Sequence, residues 1–509
     1  MKSIVKDEIY KWNCHVRRII MNVLVLDIGT SSMRGILFKE NGKKLFITQK
    51  SYRLINKKGG IVEQEVSVLK DALYYVVDKV VKEAKRISEE IDVISVTGQR
   101  SSIIVVDENG QPLCNSIMWQ DVRNSEVCDK LLSKNDTIFE KSGCGVNTIF
   151  SGSKIRWMRE EEKKIYEKTY KVLNIPSYIM YLMTGEYITD YTYGSRTNLM
   201  NIKECKWDLE LLDIFNIERK HLCDLKKPGS IIGKTKKEFF INTGIKEGTN
   251  VISAGGDQQC GAIGQGVYKE GQLSIVVGTG AFLVTSCDKV PYNITNDVIC
   301  NASSVSGKYI IESNVLTCCS AFNWFCKNFY NNDNIDYELI NKELESVYME
   351  NGECLVLPYF QGRSTPDWNS KAQAVFSNIS LATKRQDILK GILEGVFIEI
   401  NNNIQRLKKY VDIKHIYVSG GLTKSSLINQ MQADVYGVPI YIMEECESTA
   451  LGALIVTLYN LGIYNTIDEA FEIINKNRNV EVYSVNEIKY KEYEKKQKDI
   501  NELYRKIYA

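Results

Sequence analysis

A carboxylate at the end of an apolar run, followed by small and hydroxyl residues, can hold a phosphate chain. The segment Asp27-Ile28-Gly29-Thr30-Ser31-Ser32-Met33-Arg34-Gly35 has this make-up. Asp27 can hold Mg²⁺ through water, the N–H groups and hydroxyls of Gly29, Thr30, Ser31 and Ser32 can take phosphate oxygens, and Arg34 adds positive charge. The same pattern also makes a plain β-hairpin turn. Val277-Gly278-Thr279-Gly280-Ala281-Phe282 offers a second turn whose glycines allow close approach to the backbone. Ser419-Gly420-Gly421-Leu422-Thr423-Lys424-Ser425 offers a strand–glycine–helix element that can face a nucleotide. Each alone also reads as a hairpin or packing turn, and for Gly278-Thr279-Gly280 the hairpin is the better single reading; the three together point to a nucleotide.

Asp257 stands among small residues in Gly255-Gly256-Asp257-Gln258-Gln259-Cys260-Gly261-Ala262. A desolvated carboxylate there can act as general base for a hydroxyl and can also cap the following helix. Trp119-Gln120-Asp121-Val122-Arg123 joins an aromatic plate to donors and acceptors, as sugar and polyol sites do, and Gln99-Arg100-Ser101 adds hydroxyl-directed groups. Taken singly, these also fit a core Trp with polar neighbours. The three His, at 15, 221 and 415, lie in no acidic or glycine-rich setting, so a carboxylate is the expected base. Gly229-Ser230-Ile231-Ile232-Gly233-Lys234-Thr235 has three residues between its glycines where a Walker A loop has four, and reads as an ordinary loop.

The elements that must carry these residues alternate. Apolar runs at 23–27, 93–98, 251–255, 273–278 and 416–420 end in Gly, Asp or Thr and read as buried strands. Leu69, Leu73, Val76, Val77 and Val80 share one helical face, and an amphipathic run extends from Asp387 to Ile400. Strands alternating with helices predict an α/β fold with ligands at the carboxyl ends of strands. The recurrence of a glycine–hydroxyl turn midway makes the chain look doubled. We place the boundary in Gly264–Gly271, giving domains over 21–266 and 267–509, with a solvated closing helix from about Glu487.

Composition narrows the function classes. With 509 residues, 44% hydrophobic and 25% charged, disorder and a disulfide mini-scaffold are excluded, and two or more domains are expected. Lys+Arg 65 against Asp+Glu 63 leaves +2, so charge gives no reason for a nucleic-acid or membrane partner. The 14 Cys contain no C-x-x-C pair and read as thiols of a reducing cytoplasm. No stretch approaches the ~18 apolar residues of a membrane-spanning helix. Residues 1–20 lack the apolar core of a secretory signal and are read as an extension before a start at Met21.

The order and spacing of Asp27–Arg34, Trp119–Arg123, Lys154–Trp157, Thr189–Thr192, Gly256–Gln259, Gly278–Gly280, Leu393–Gly395, Ser419–Gly421 and Glu447–Ala453 resemble the FGGY carbohydrate kinases. The resemblance implies two actin-like (ribonuclease-H-like) ATPase domains around a central cleft, and transfer of phosphate from Mg-ATP to a sugar or polyol hydroxyl. It implies Asp257 as base, Asp27 and Asp257 beside Mg²⁺, and the turns Gly29–Ser32 with Arg34 and Gly278–Gly280 on the ATP phosphates. Gly420, Gly421 and Ser425 would lie by the adenosine. Gln99, Arg100, Ser101, Trp119, Gln120, Asp121, Ile149, Asp257 and Gln258 would face the substrate. Homodimers and homotetramers are common in that family.

Within the family the chain is most similar to glycerol kinases, but Ser101 replaces a Glu and Ile149 a Tyr that serve glycerol there. Losing such polar partners costs ~1–3 kcal/mol each. A ketopentose, tetritol or pentitol is therefore the expected substrate, with a divergent glycerol kinase as the alternative. An actin-like ATPase without sugar kinase activity and a kinase-like binding protein are readings from other classes.

Overall fold

The computed structural model describes residues 21–508, except 331–335, 351, 367 and 445–446. The extension 1–20 lies outside the described residues. In the first lobe, strands β1 (Asn22–Ile28), β2 (Ser32–Lys39) and β3 (Lys44–Ser51) form an antiparallel meander. After helix α1 (Val66–Arg86), β4 (Val93–Gly98) pairs parallel with β1. Helix α2 (Ser151–Glu161) lies in the long insertion before β5 (Ile231–Lys234) and β6 (Asn250–Gly256). The sheet order is β5-β6-β4-β1-β2-β3. The segment Gly229–Thr235, expected as a loop, therefore contains edge strand β5, which pairs antiparallel with β6 despite its glycines.

Helix α3 (Asp257–Gly264) leads to the second lobe, whose strands are β7 (Gln272–Val277), β8 (Ala281–Cys287), β9 (Ile299–Ala302) and β10 (Tyr309–Val315). Helix α4 (Arg385–Leu407), β11 (His415–Gly420), helix α5 (Ser426–Tyr436) and β12 (Ile440–Met443) follow. Helices α6 (Ser448–Asn460) and α7 (Ile467–Ile474), β13 (Val480–Tyr483) and helix α8 (Glu487–Tyr508) end the chain. The order β9-β10-β8-β7-β11-β12-β13 repeats the first sheet, with β7, β8 and β10 standing for β1, β2 and β3, and β11 for β4. The doubling expected from the turns is thus a duplicated topology.

Strand β1 is buried on both faces, because its apolar residues do not alternate with polar ones. Leu24, Leu26 and Ile28 share a core with α1, while Val23 and Val25 share one with Ala450, Ala453 and Leu454 of α6. Thus α6, from the end of the chain, covers the inner face of the first sheet. It crosses α3 at two glycines. A Cβ on Gly452 would fall 1.8 Å from the Cys260 carbonyl oxygen, and one on Gly264 1.9 Å from that of Ser448.

Two helix readings change. The run from Asp387 is not amphipathic: α4 is buried on nearly every side, including Lys390, Glu394 and Glu399. The closing helix is not fully solvated, since Lys489, Tyr493, Ile500 and Tyr504 of α8 are buried, with the Arg363 guanidinium 4.1 Å from the Tyr504 ring centre. Its Lys/Glu/Tyr composition hid this face because Tyr and Lys bury their stems while keeping polar tips. Among the described residues no helix is long and apolar enough to cross a membrane.

Candidate active site

A cavity of about 410 Å³ opens between the lobes at the carboxyl ends of β4 and β6. The first lobe lines it with Thr30, Gln99, Arg100, Ser101, Trp119, Ile149, Arg196, Asp257 and Gln258. The second lobe contributes Phe282, Ile299, Glu312, Asn314 and Trp368, among others. Seven expected substrate residues therefore converge, with Thr30 of the first glycine turn beside them.

Two do not reach the cavity. Asp121 is fully buried and accepts hydrogen bonds from Val62 N (2.7 Å), Arg123 N (2.9 Å) and Arg123 Nε (2.9 Å). It locks the turn that presents Trp119. Gln120 is also absent from the cavity wall, and its Oε1 is buried with no partner among the described residues. Buried Lys154 of α2 donates to Asp121 O (3.0 Å) and Thr148 O, and so fixes the segment entering Ile149. Burial pulls its amine down to about 8.

Asp257 begins α3, and its Oδ1 accepts the Gln258 N–H at 2.8 Å. Arg100 Nε lies 3.5 Å from the same oxygen. Burial raises the Asp257 carboxyl above its ordinary range against the pull of Arg100. Arg100 reaches across the cleft to Glu312 on β10, with Nη2 3.1 Å from Oε2 and Nη1 also bonded. Arg196 Nη1 stands 3.6 Å from Glu312 Oε2, and its guanidinium covers the Phe150 ring at 4.7 Å. Burial alone would push Glu312 up, but the two arginines outweigh it and hold it below the usual carboxylate range. Arg196 and Glu312 were not singled out from sequence. A signal existed for Glu312, a carboxylate inside the apolar strand Tyr309-Ile310-Ile311-Glu312.

The first glycine turn joins β1 to β2, with Gly29 N donating to Ser32 O at 2.9 Å. Tyr52 Oη (2.7 Å) and Gln99 Nε2 (3.1 Å) both donate to Gly29 O, and Trp119 Nε1 lies 3.2 Å from Thr30 Oγ1. The second turn joins β7 to β8, Gly278 N donating to Gly280 O at 2.8 Å. Gly420 has φ +113 and lies so close to β7 that a Cβ would meet the Val277 carbonyl oxygen at 2.1 Å. Gly278–Gly280 and Gly420–Gly421 therefore adjoin at the ends of paired strands. The hairpin reading and the close-approach reading hold together.

Two expected phosphate or nucleotide contacts are altered. Arg34 lies directly across the ladder from Asp27 and bonds both Asp27 Oδ2 (2.7 Å) and Glu447 Oε2 (2.5 Å), so its charge is already paired. Ser425 is fully buried as the N-cap of α5, accepting from Ile428 N (3.2 Å) and donating to Asn341 Oδ1 (2.5 Å). Its hydroxyl is committed to the fold.

Burial pushes the Asp27 carboxyl up to about 6, against Arg34 and helped by the charges of Asp257 and Glu447. A carboxyl raised in the folded state opposes folding once ionised, fully above about pH 6, and this penalty fades as pH falls toward its ordinary 3.8. Asp27→Asn is therefore expected to stabilise the ligand-free protein by about 1–3 kcal/mol at pH 7 and by nothing near pH 4. Urea midpoints at both pH values check this; an equal change at both would refute it. Asp27 and Asp257 are hard oxygen donors, and among the described residues no cluster of three metal-ligating side chains exists. That donor set fits Mg²⁺, which takes one or two carboxylates and completes its shell with water and phosphate oxygens.

A family model described as the FGGY family of carbohydrate kinases, N-terminal domain, matches residues 22–264, and its C-terminal counterpart matches 273–461. The glycerol kinase of Enterococcus casseliflavus is 30% identical over 461 residues, covering 88% of this chain and 90% of the relative. Glycerol kinase 2 of Thermotoga maritima is 30% identical over 475 residues, covering 90% and 94%. The structure of Plasmodium falciparum glycerol kinase with ADP superposes with TM-score 0.87 at 26% identity, covering 95% and 98% of the two chains. That of a gluconate kinase from Lactobacillus acidophilus gives 0.89 at 24% identity, covering 96% and 99%, and shares the fold. With both family domains matched in order around a cleft that gathers two carboxylates, two arginines and Thr30 of the first glycine turn, the chain belongs to the FGGY family of carbohydrate kinases, phosphotransferases acting on an alcohol group.

Proposed function

We propose that this cleft transfers the terminal phosphoryl group of ATP to a hydroxyl of a small neutral sugar or polyol, a ketopentose, tetritol or pentitol. The observation that carries this is Asp257, a raised carboxyl on the wall of a cavity that also presents Trp119, Gln258 and Ser101. The Asp257 carboxylate takes the hydroxyl proton as the oxygen attacks. Arg100 orients that carboxylate, and Trp119 gives the acceptor's C–H face a plate. Thr30 and Ser31 of the first turn and Thr279 of the second hold phosphate oxygens in line through backbone N–H groups and hydroxyls. Mg²⁺ held by Asp27 and Asp257 would neutralise charge on the phosphates. Gly420 and Gly421 face the nucleoside. The lobes close over both ligands and exclude competing water.

The acceptor class rests on Ser101 and Ile149. Ser101 is held at φ +71 with its hydroxyl buried and lacking a partner among the described residues. It offers one unpaired hydroxyl, and Ile149 offers no polar group at all. A divergent glycerol kinase is the second reading, favoured by curated relatives of that name at 30–31% identity. An ADP-release assay over glycerol, erythritol, ribitol, xylitol, arabitol, xylulose and ribulose separates them. The first reading expects a tetritol, pentitol or ketopentose to exceed glycerol in kcat/KM; a glycerol optimum would establish the second. ATP turnover independent of every acceptor would remove both.

A further inference from the structure

Beside the cavity at Asp257 lies a second, of about 260 Å³, and the two share Ile149, Ile299 and Trp368 as walls. Among the described residues no charged side chain lines the second cavity. Its first-lobe wall carries Asn135 and Asn147, whose side-chain oxygens accept the N–H groups of Val146 (2.7 Å) and Ile149 (3.0 Å). That commitment of the oxygens leaves each amide NH₂ as a donor. From the second lobe Asn296 packs on Gly145, where a Cβ would fall 2.2 Å from Asn296 Oδ1. Neutral amides among Leu132, Val146, Phe150 and Val298 suit a hydroxylated carbon chain.

We propose that the second cavity binds the far end of the acceptor. Resting on the kinase reading above, the reacting hydroxyl lies at Asp257, the chain passes Ile149, and the carbons beyond the third lie among Asn135, Asn147 and Asn296. The ligand class is a neutral linear polyol or open-chain ketose longer than glycerol. A terminal carboxylate does not fit, because no cation among the described residues meets it there and an unpaired charge is costly to desolvate.

Asn296→Trp tests this, since Asn296 is exposed and lines the second cavity but not the first. Filling the cavity is expected to lower the ratio of kcat/KM for ribitol to that for glycerol about tenfold or more. Asn147→Ala is expected to lower the same ratio in the same direction. The unaltered protein is expected to favour glucitol over gluconate, which differ at the chain ends. A ratio unchanged in both variants, or a preference for gluconate, overturns the subsite. If no acceptor is phosphorylated, the kinase reading fails separately, and thermal-shift binding of ribitol and glucitol decides the subsite. Protection lost in Asn296→Trp supports it; no protection, or protection retained in the variant, overturns it.

Discussion

Asp257→Asn is expected to lower kcat by about 10²–10⁴ while acceptor and nucleotide binding survive. The substitution keeps the size of the side chain and an acceptor for the Gln258 N–H, so α3 keeps its start. It removes the carboxylate proposed to take the hydroxyl proton. The pH profile gives a second reading of the same carboxyl. Since burial raises Asp257, the acid limb of kcat/KM in the parent protein should lie above the ordinary 3.8, with activity rising as pH rises through it. A single-turnover rate in Asp257→Asn within tenfold of the parent would remove the residue from the role of base.

Glu312→Ala is expected to cost about 3–5 kcal/mol of stability, because it leaves two buried guanidiniums facing each other with their shared anion gone. That is a large part of a typical total of about 5–15 kcal/mol. Arg100 and Arg196 come from the first lobe and Glu312 from the second, so the loss also loosens the cleft. The catalytic consequence follows from the same charges. Glu312 raises the Asp257 carboxyl, and Arg100 and Arg196 lower it. Buried Asp27 and Tyr193 face the same group. With Glu312 removed, the acid limb should move to lower pH while kcat falls. Urea denaturation and the pH–rate profile measure the two effects, and Glu312→Gln should retain more stability than Ala. An unchanged urea midpoint would mean that the network contributes little.

The strands at 93–98 and 416–420 and the α1 face were legible because continuous apolar runs and a 3.6-residue period each demand one kind of burial. The turns were legible because glycine is needed where backbones approach, as at Gly420 against Val277. What was not legible was pairing at a distance. Arg34 has the type and spacing of a phosphate ligand, but only the register of β1 and β2 shows that it faces Asp27. Asp121 looks like a sugar ligand beside Trp119, yet Val62, far back in the chain, claims its carboxylate. Arg100 and Glu312 are separated by 212 positions, and no local pattern links them.

The glycine crossing of α3 and α6 bears on how the molecule is made. The first sheet's last strand ends at Gly256, but the helix that covers its inner face begins only at Ser448. On a ribosome adding about 5–20 residues per second, roughly 10–40 s separate the two. Throughout that interval Val23, Val25, Ile252 and Ala254 lack the cover that Ala450, Ala453 and Leu454 of α6 give them. A nascent or truncated chain ending before α6 therefore exposes part of an apolar sheet, and the first lobe made without α6 is expected to aggregate where the full chain stays soluble.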